Sequence, residues 1–257
     1  MSQRGAFAAT EWAMPPRNCP VAQDEVHIWR ARVDAPRQVI QELRGVLSPD
    51  EHEKADRFHF DVDRRRFVIG RSALRMLLAQ RLGTAPAKLQ FDTSAFGKPH
   101  LASAFADTAL RFNVSHSGDI VLIALALHRA LGVDVEHMRP DIEVVGIAER
   151  FFSVAERRAL GTLDPKEQRD AFYACWTRKE AYIKATGDGL SLPLDQFDVT
   201  LLPGEPARLV ATRPDPAEAT RWTLMGLEVG DGYKAALAVE GAGFRLKTWD
   251  WDGASLG

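Results

Sequence analysis

One order of signals occurs twice along this chain. Leu47-Ser48-Pro49-Asp50-Glu51 starts a charged helix, with Ser48 as N-cap and Pro49 at the first helical position. A second helix runs from Asp63 to about Leu82, carries Phe67 near its start and stops at Gly83 as a C-cap. Strand patterns follow. The series then returns: Ser153 caps a helix with Glu156 three residues on, and a helix over Ala171 to Ala185 opens with Phe172 and stops at Gly187. Strand patterns follow again. A repeated order of elements constrains a chain to fold as two similar units. The expected fold class is α+β, as two pseudosymmetric α+β halves in one chain. Residues 1–24, with Pro15, Pro16 and Pro20 and no periodicity, form a loosely ordered lead-in. Residues 25–128 form the N-terminal half and 129–257 the C-terminal half.

The strands expected in this frame are Val26 to Trp29, Leu110 to Asn113, Ile120 to Leu127, Leu131 to Glu136, Phe197 to Leu201, Thr223 to Val229 and Lys234 to Val239. Ser117-Gly118-Asp119 reads as a turn between two of them. Asp141 to Phe151 reads as a further helix.

Bulk properties exclude several classes. The chain is 46% hydrophobic and 26% charged, which is globular composition rather than that of a disordered or membrane protein. A formal net charge of −2 argues against a general nucleic-acid binder. Cys19 and Cys175 are far apart and form no CxxC pair, so neither a disulfide framework nor a zinc site is expected. That usage, with no signal-peptide pattern and no apolar run near the roughly 20 residues of a membrane span, fits a cytoplasmic protein.

Five fragments offer chemistry. In Leu131-Gly132-Val133-Asp134-Val135-Glu136, residues two apart share a strand face. Asp134 and Glu136 therefore point one way and Val133 and Val135 the other. Two neighbouring carboxylates call for positive charge between them, and Mg²⁺ takes such hard oxygen ligands; the plain alternative is a solvated strand edge. Trp176, Glu180 and Lys184, four apart, form one helical stripe. It could be a simple surface Glu–Lys pair, but the following Gly187-Asp188-Gly189 lets the backbone approach a ligand or partner closely. In Asn113-Val114-Ser115-His116-Ser117, a histidine between serines in a turn after a strand can donate to phosphate oxygens, or simply face water. Gly97-Lys98-Pro99 presents a lysine on a turn, and alone is an ordinary turn. The basic run from Lys54 through Arg66 to Arg75 reads as a solvated helix face from which a few arginines could meet phosphates.

In combination and order these fragments resemble the surfactin-type (Sfp-like) 4′-phosphopantetheinyl transferase family over about residues 45 to 200. Trp176 through Leu190 is the most specific part and Gly97-Lys98-Pro99 the least. The resemblance implies a coenzyme A cleft between the two halves, with the metal site in the C-terminal half. It implies Mg²⁺ held by Asp134, Glu136 and Glu180, with Lys184 near the pyrophosphate. Ser115 and His116 would meet the nucleotide-side phosphates, Lys98 and Pro99 the adenine, and Lys54 and Arg66 the 3′-phosphate. The catalytic residues expected are Glu180, Lys184 and His116. Glu51 stands where some relatives carry a lysine near the 3′-phosphate.

The implied reaction moves the phosphopantetheine arm from coenzyme A to a serine of an apo acyl or peptidyl carrier protein, by a monomer. The helix from Trp176 to Lys184 and the loop Gly187 to Leu194 are the expected docking surface. Two other classes fit the same residues: a Mg²⁺-dependent phosphohydrolase of nucleotides or coenzyme A, and a non-catalytic carrier-binding module. The second would be expected to lack an acid or the lysine, and all four are present.

Overall fold

The computed structural model describes residues 10–16, 19–94, 98–105, 107–187 and 189–253. Its first half runs β1 (Glu25–Arg32), α1 (Arg37–Arg44), α2 (Pro49–Arg57), α3 (Asp61–Leu82), β2 (Phe91–Thr93), β3 (Pro99–Leu101), β4 (Leu110–Ser117) and β5 (Ile120–Leu127). The second runs β6 (Leu131–His137), α4 (Val144–Phe151), α5 (Val154–Gly161), α6 (Pro165–Thr186), β7 (Phe197–Val199), β8 (Leu209–Thr212), α7 (Glu218–Arg221), β9 (Trp222–Leu227) and β10 (Tyr233–Glu240). β11 (Arg245–Trp251) closes the chain. The sheets repeat one topology, β1-β5-β4 in the first half and β6-β10-β9 in the second. The repeat inferred from the order of signals is therefore a repeat of structure.

The same residues build each half. Ser48 and Glu51 form a capping box, and so do Ser153 and Glu156. The long helices α3 and α6 end at Gly83 and Gly187, both left-handed, with φ of 61° and 82°. Beneath α2, Arg75 of α3 donates to Glu51 at 2.6 Å and to the carbonyls of Pro86 and Leu89. Beneath α5, Lys179 of α6 meets Glu156 at 2.8 Å and the carbonyls of Leu194 and Phe197. Glu51 is thus a buried structural anion. It faces Arg75 and Arg71, not a ligand phosphate.

Packing is in four layers. Helices α1 and α3 cover one face of the first sheet through Leu74, Leu77 and Leu78, which meet Val121, Ile123 and Leu125. Helices α4 to α6 cover the second sheet in the same way. The remaining faces of the two sheets meet in a third cluster, where Val26, Ile28, Leu122 and Ala124 pack on Val133, Val135 and Leu237. β5 is apolar on both faces because it is buried on both. Each such Leu or Ile contributes about 1.5–3 kcal/mol of burial.

The structure departs from the sequence expectations in particular places. β4 extends through Ser117, so Ser115 and His116 lie in a strand rather than a turn. α6 begins at Pro165, because Asp164 and Pro165 make an earlier start than Ala171. α4 begins at Val144, capped by the Glu143 side chain, after Asp141 is held by Arg139. β11 pairs in parallel with β1, so residues expected in the C-terminal half belong by pairing to the first sheet. The lead-in is anchored where it is described: Cys19 and Val21 are buried, and Ala13 bridges to Trp249. Both cysteines are free and buried. Among the described residues no helix is long and apolar enough to cross a membrane.

Candidate active site

β6 has two edges. One pairs with β10, and the other meets β4 of the first half. There the side chains of β4 stand in for a neighbouring backbone. Asn113 Oδ1 accepts the Val133 amide at 2.8 Å, Ser115 Oγ accepts Val135 at 3.3 Å, and Ser117 Oγ accepts His137 at 3.1 Å. Alternation explains the motif: residues 113, 115 and 117 share one face, and each satisfies an amide that a buried edge would otherwise leave bare. On the equivalent edge of β1 the neighbour is β11. The junction of β4 with β6 is thus specific to this side of the molecule.

Val133 and Val135 turn into the apolar layer between the sheets, so Asp134 and Glu136 turn toward α6. Gly132 makes the approach of that helix possible. A Cβ at this position would stand 2.2 Å from the Ala181 carbonyl oxygen and 2.4 Å from the Ala185 amide. With no side chain there, α6 lies directly on β6 and brings Glu180 and Lys184 over the two carboxylates. Lys184 Nζ is 2.6 Å from Asp134 Oδ1 and 3.0 Å from Ser115 Oγ. Ser115 Oγ donates to Asp134 Oδ1 at 2.9 Å, and Ser117 Oγ donates to Glu136 Oε2 at 2.8 Å.

The electrostatics follow from this crowding. Asp134 is only 3% exposed, and burial raises its carboxyl pKa against the pull of Lys184. Glu136 is raised by burial and then by Asp134. Glu180 is raised by burial, then by Asp134 and more weakly by Glu136, with Lys184 opposing. The three acids therefore share one field, and the ammonium among them is Lys184. Among the described residues no three His, Cys, Asp or Glu side chains are gathered closely enough to hold a metal ion as they stand. The donor chemistry nonetheless fits a hard divalent cation. All the donors are carboxylate oxygens, and Asp134 Oδ2 is buried without a hydrogen-bond partner.

The other expected residues divide. His116, on the opposite face of β4 from Ser115, is exposed at the rim. Desolvation by its surroundings, then Arg66, lowers its imidazole pKa. Arg66 donates to the Gly118 carbonyl at 2.8 Å and to Asp63 at 2.7 Å. Lys54 lies exposed, 5.2 Å over the Phe67 ring. Ser115 is spent inward on Asp134 and β6. Lys98 and Pro99 border a cavity of about 700 Å³ that Leu131 and Glu240 of the second half also line. Gly97 and Asp188, named in the sequence motifs, lie outside the described residues.

α6 turns much of the expected docking helix inward and leaves Trp176, Arg178, Glu180 and Lys184 half-buried. Phe172, Tyr173, Cys175, Lys179, Ala181 and Tyr182 are all buried, because this helix is the core of the second half. Trp176 packs between Phe151 and Phe172. Sequence reasoning missed Asn113, Ser117 and Gly132. The signal for the first two was present: polar residues at every second position of a strand that would otherwise be apolar.

Two family models match the chain. One, described as 4′-phosphopantetheinyl transferase superfamily, covers residues 130–238. The other, described as 4′-phosphopantetheinyl transferase, N-terminal, covers residues 33–128. The chain is 40% identical to the 4′-phosphopantetheinyl transferase HetI of Nostoc sp. over 240 residues, 93% of this chain and 98% of that one. The chain belongs to the 4′-phosphopantetheinyl transferase superfamily. The transferase is also 36% identical to a putative 4′-phosphopantetheinyl transferase of Synechocystis sp., over 77% of each chain. To Sfp of Bacillus subtilis it is 34% identical, over 77% of this chain and 84% of that one. The two model matches meet near residue 129, where β5 ends and β6 begins. The cluster of Asp134, Glu136, Glu180 and Lys184 therefore lies close to where the two halves touch.

Proposed function

We propose that this transferase moves the 4′-phosphopantetheine arm of coenzyme A onto a serine hydroxyl of an apo carrier protein, releasing 3′,5′-ADP. One observation carries the reading in a chain of this family: Asp134, Glu136 and Glu180 share one field with Lys184 at the junction of the halves. The carrier's serine oxygen attacks the β-phosphorus of coenzyme A. As that P–O bond forms, the bond to the bridging oxygen breaks, and the ADP leaves with its electron pair. Glu180 takes the serine proton. Kept ionised by the positive charge beside it, that carboxylate is an acceptor for the proton. The Lys184 ammonium offsets charge growing on the phosphoryl oxygens. Magnesium, held by Asp134, Glu136 and Glu180, would supply further positive charge against the diphosphate.

A cavity of about 450 Å³ opens beside Glu136 and Ser117, walled by Phe172, Tyr173 and Trp176, and gives room for the reacting groups. His116 and Arg66 stand near each other at the outer rim, where phosphates of the nucleotide would approach. One chain supplies β4 from its first half and β6 with α6 from its second, so a monomer holds the whole site. Two free, buried cysteines suit a cytoplasmic setting.

The test is intact-mass measurement of several apo carriers after incubation with coenzyme A and Mg²⁺. The expected result is a gain of one phosphopantetheine on a carrier and none on its serine-to-alanine form. Glu180→Gln and Asp134→Ala should fold and lose transfer. Hydrolysis of coenzyme A with no carrier modified would replace this reading with that of a phosphohydrolase.

A further inference from the structure

Lys98 was expected to line the adenine pocket. The structure gives its ammonium a different contact. Nζ donates to the backbone carbonyl of Lys184 and lies 3.5 Å from the carbonyl of Leu131. Lys184 is in the last turn of α6, and Leu131 opens β6. Lys98 itself belongs to the other half, beside the β2–β3 hairpin.

The chemistry of that contact is definite. The last four carbonyls of a helix have no intrahelical amide to accept from, and the helix dipole makes that end negative. An ammonium is the group that satisfies both needs. Here it comes from a segment distant in sequence. The residue whose carbonyl it takes is the one whose own ammonium meets Asp134 and Ser115. The second carbonyl it approaches is three residues before Asp134 on the same strand. Lys98 thus touches both elements that carry the reactive groups, at the points where they enter and leave the site. Burial and then the charge of Lys184 lower its pKa to about 8, as expected for an ammonium drawn into a protein boundary.

We propose that Lys98 is a positioning residue for Lys184, reaching from the first half to hold the end of α6 against β6. The claim rests on the transferase reading for its kinetic consequence, though not for its structural one. Misplacing a reactive group by a fraction of its working distance lowers turnover without weakening the substrate's grip. A direct adenine contact would do the reverse.

The experiment compares wild type, Lys98→Met and Lys98→Arg. Steady-state transfer is measured with coenzyme A varied, and hydrogen exchange is measured with no substrate present. In Lys98→Met, kcat should fall about tenfold to a hundredfold while KM for coenzyme A changes by less than about threefold. Amide exchange should quicken at the end of α6 and the start of β6. Lys98→Arg, which keeps cationic donors, should recover part of kcat. A large rise in KM with kcat unchanged overturns the proposal, and so does unaltered exchange. If Lys98→Met does not fold, Lys98→Gln takes its place with the same expectations. A wild type that modifies no carrier sinks the transferase reading, while quickened exchange in the variant would still support the clasp.

Discussion

The Lys179 ammonium and the Glu156 carboxylate lie 2.8 Å apart, and neither side chain has meaningful contact with solvent. Every remaining valence is used. Lys179 also donates to the Leu194 and Phe197 carbonyls, and Glu156 accepts the amides of Ser153 and Val199. One buried ion pair therefore fastens α5, α6 and the chain leading into β7. Breaking it from one side strands the other charge. Lys179→Met should cost about 3–5 kcal/mol in urea unfolding, and joining it to Glu156→Gln should recover part of that. A cost below about 1 kcal/mol would mean the pair fastens nothing.

Gly132 sets how closely α6 lies on β6. The atoms that a Cβ would strike belong to the backbone of Ala181, Lys184 and Ala185, so no side chain can turn aside. Gly132→Ala should cost about 1–3 kcal/mol or more by overpacking, and should lift Lys184 away from Asp134. Transfer should fall further than stability predicts. A variant that keeps wild-type turnover would show that the spacing of α6 over β6 does not matter to the reaction.

Much of this was legible in the sequence because it is local. Ser48 with Glu51 and Ser153 with Glu156 marked helix starts at the right residues. Alternation put Asp134 and Glu136 on one face, and the spacing of Glu180 and Lys184 put them on one stripe. What was not legible was pairing over long distances. The segment Arg245–Trp251 carries no sign that its partner is β1, more than two hundred residues earlier. Ser115 looked like a group for a ligand, and Asn113 and Ser117 were given no role, because a polar strand face has no label for its partner. Their partner is the bare edge of β6. Arg75 looked like a solvated charge and Lys179 was given no role, since only the fold shows which cation is sealed beneath a cap.

His27 makes folding depend on pH. It is buried beside Trp249, with Nε2 3.0 Å from Glu25 and Nδ1 3.7 Å from the Cys19 sulfur. With Glu25 ionised, Nε2 carries the hydrogen and Nδ1 accepts from the thiol. Burial holds the imidazole pKa below its ordinary 6.5, outweighing the help from Glu25. Below that pH the unfolded chain takes up a proton that the folded chain resists. The contribution is therefore complete above 6.5 and is lost as pH falls through the lower, folded value. Glu25, brought to about 2 chiefly by His27 and then by Arg245, adds stability above the usual carboxylate range that disappears only in strong acid. The urea midpoint should drop from neutral to mildly acidic pH, and His27→Phe should flatten that drop. An equal slope in the variant would assign it to other groups.

Glu180 should make the protein less stable than it could be. Its carboxyl pKa is raised by burial first, then by Asp134 and Glu136. A raised acid favours folding at low pH and opposes it once pH passes the unfolded value near 4.5, with the full cost reached above the folded one. At neutral pH, then, an ionised Glu180 opposes folding in buffer free of divalent cations. Glutamine keeps the shape and removes the charge. Glu180→Gln should therefore melt at the same temperature as wild type or a few degrees higher, while losing transfer, the pattern of a group kept for function at the expense of stability. Adding MgCl₂ should raise the melting temperature of wild type, because a ligand of the folded state stabilises it, and should raise that of the variant less. Differential scanning fluorimetry with and without the cation reads both effects. A variant that melts lower without Mg²⁺ and gains as much from it as wild type would remove Glu180 from the set of carboxylates that share the cation.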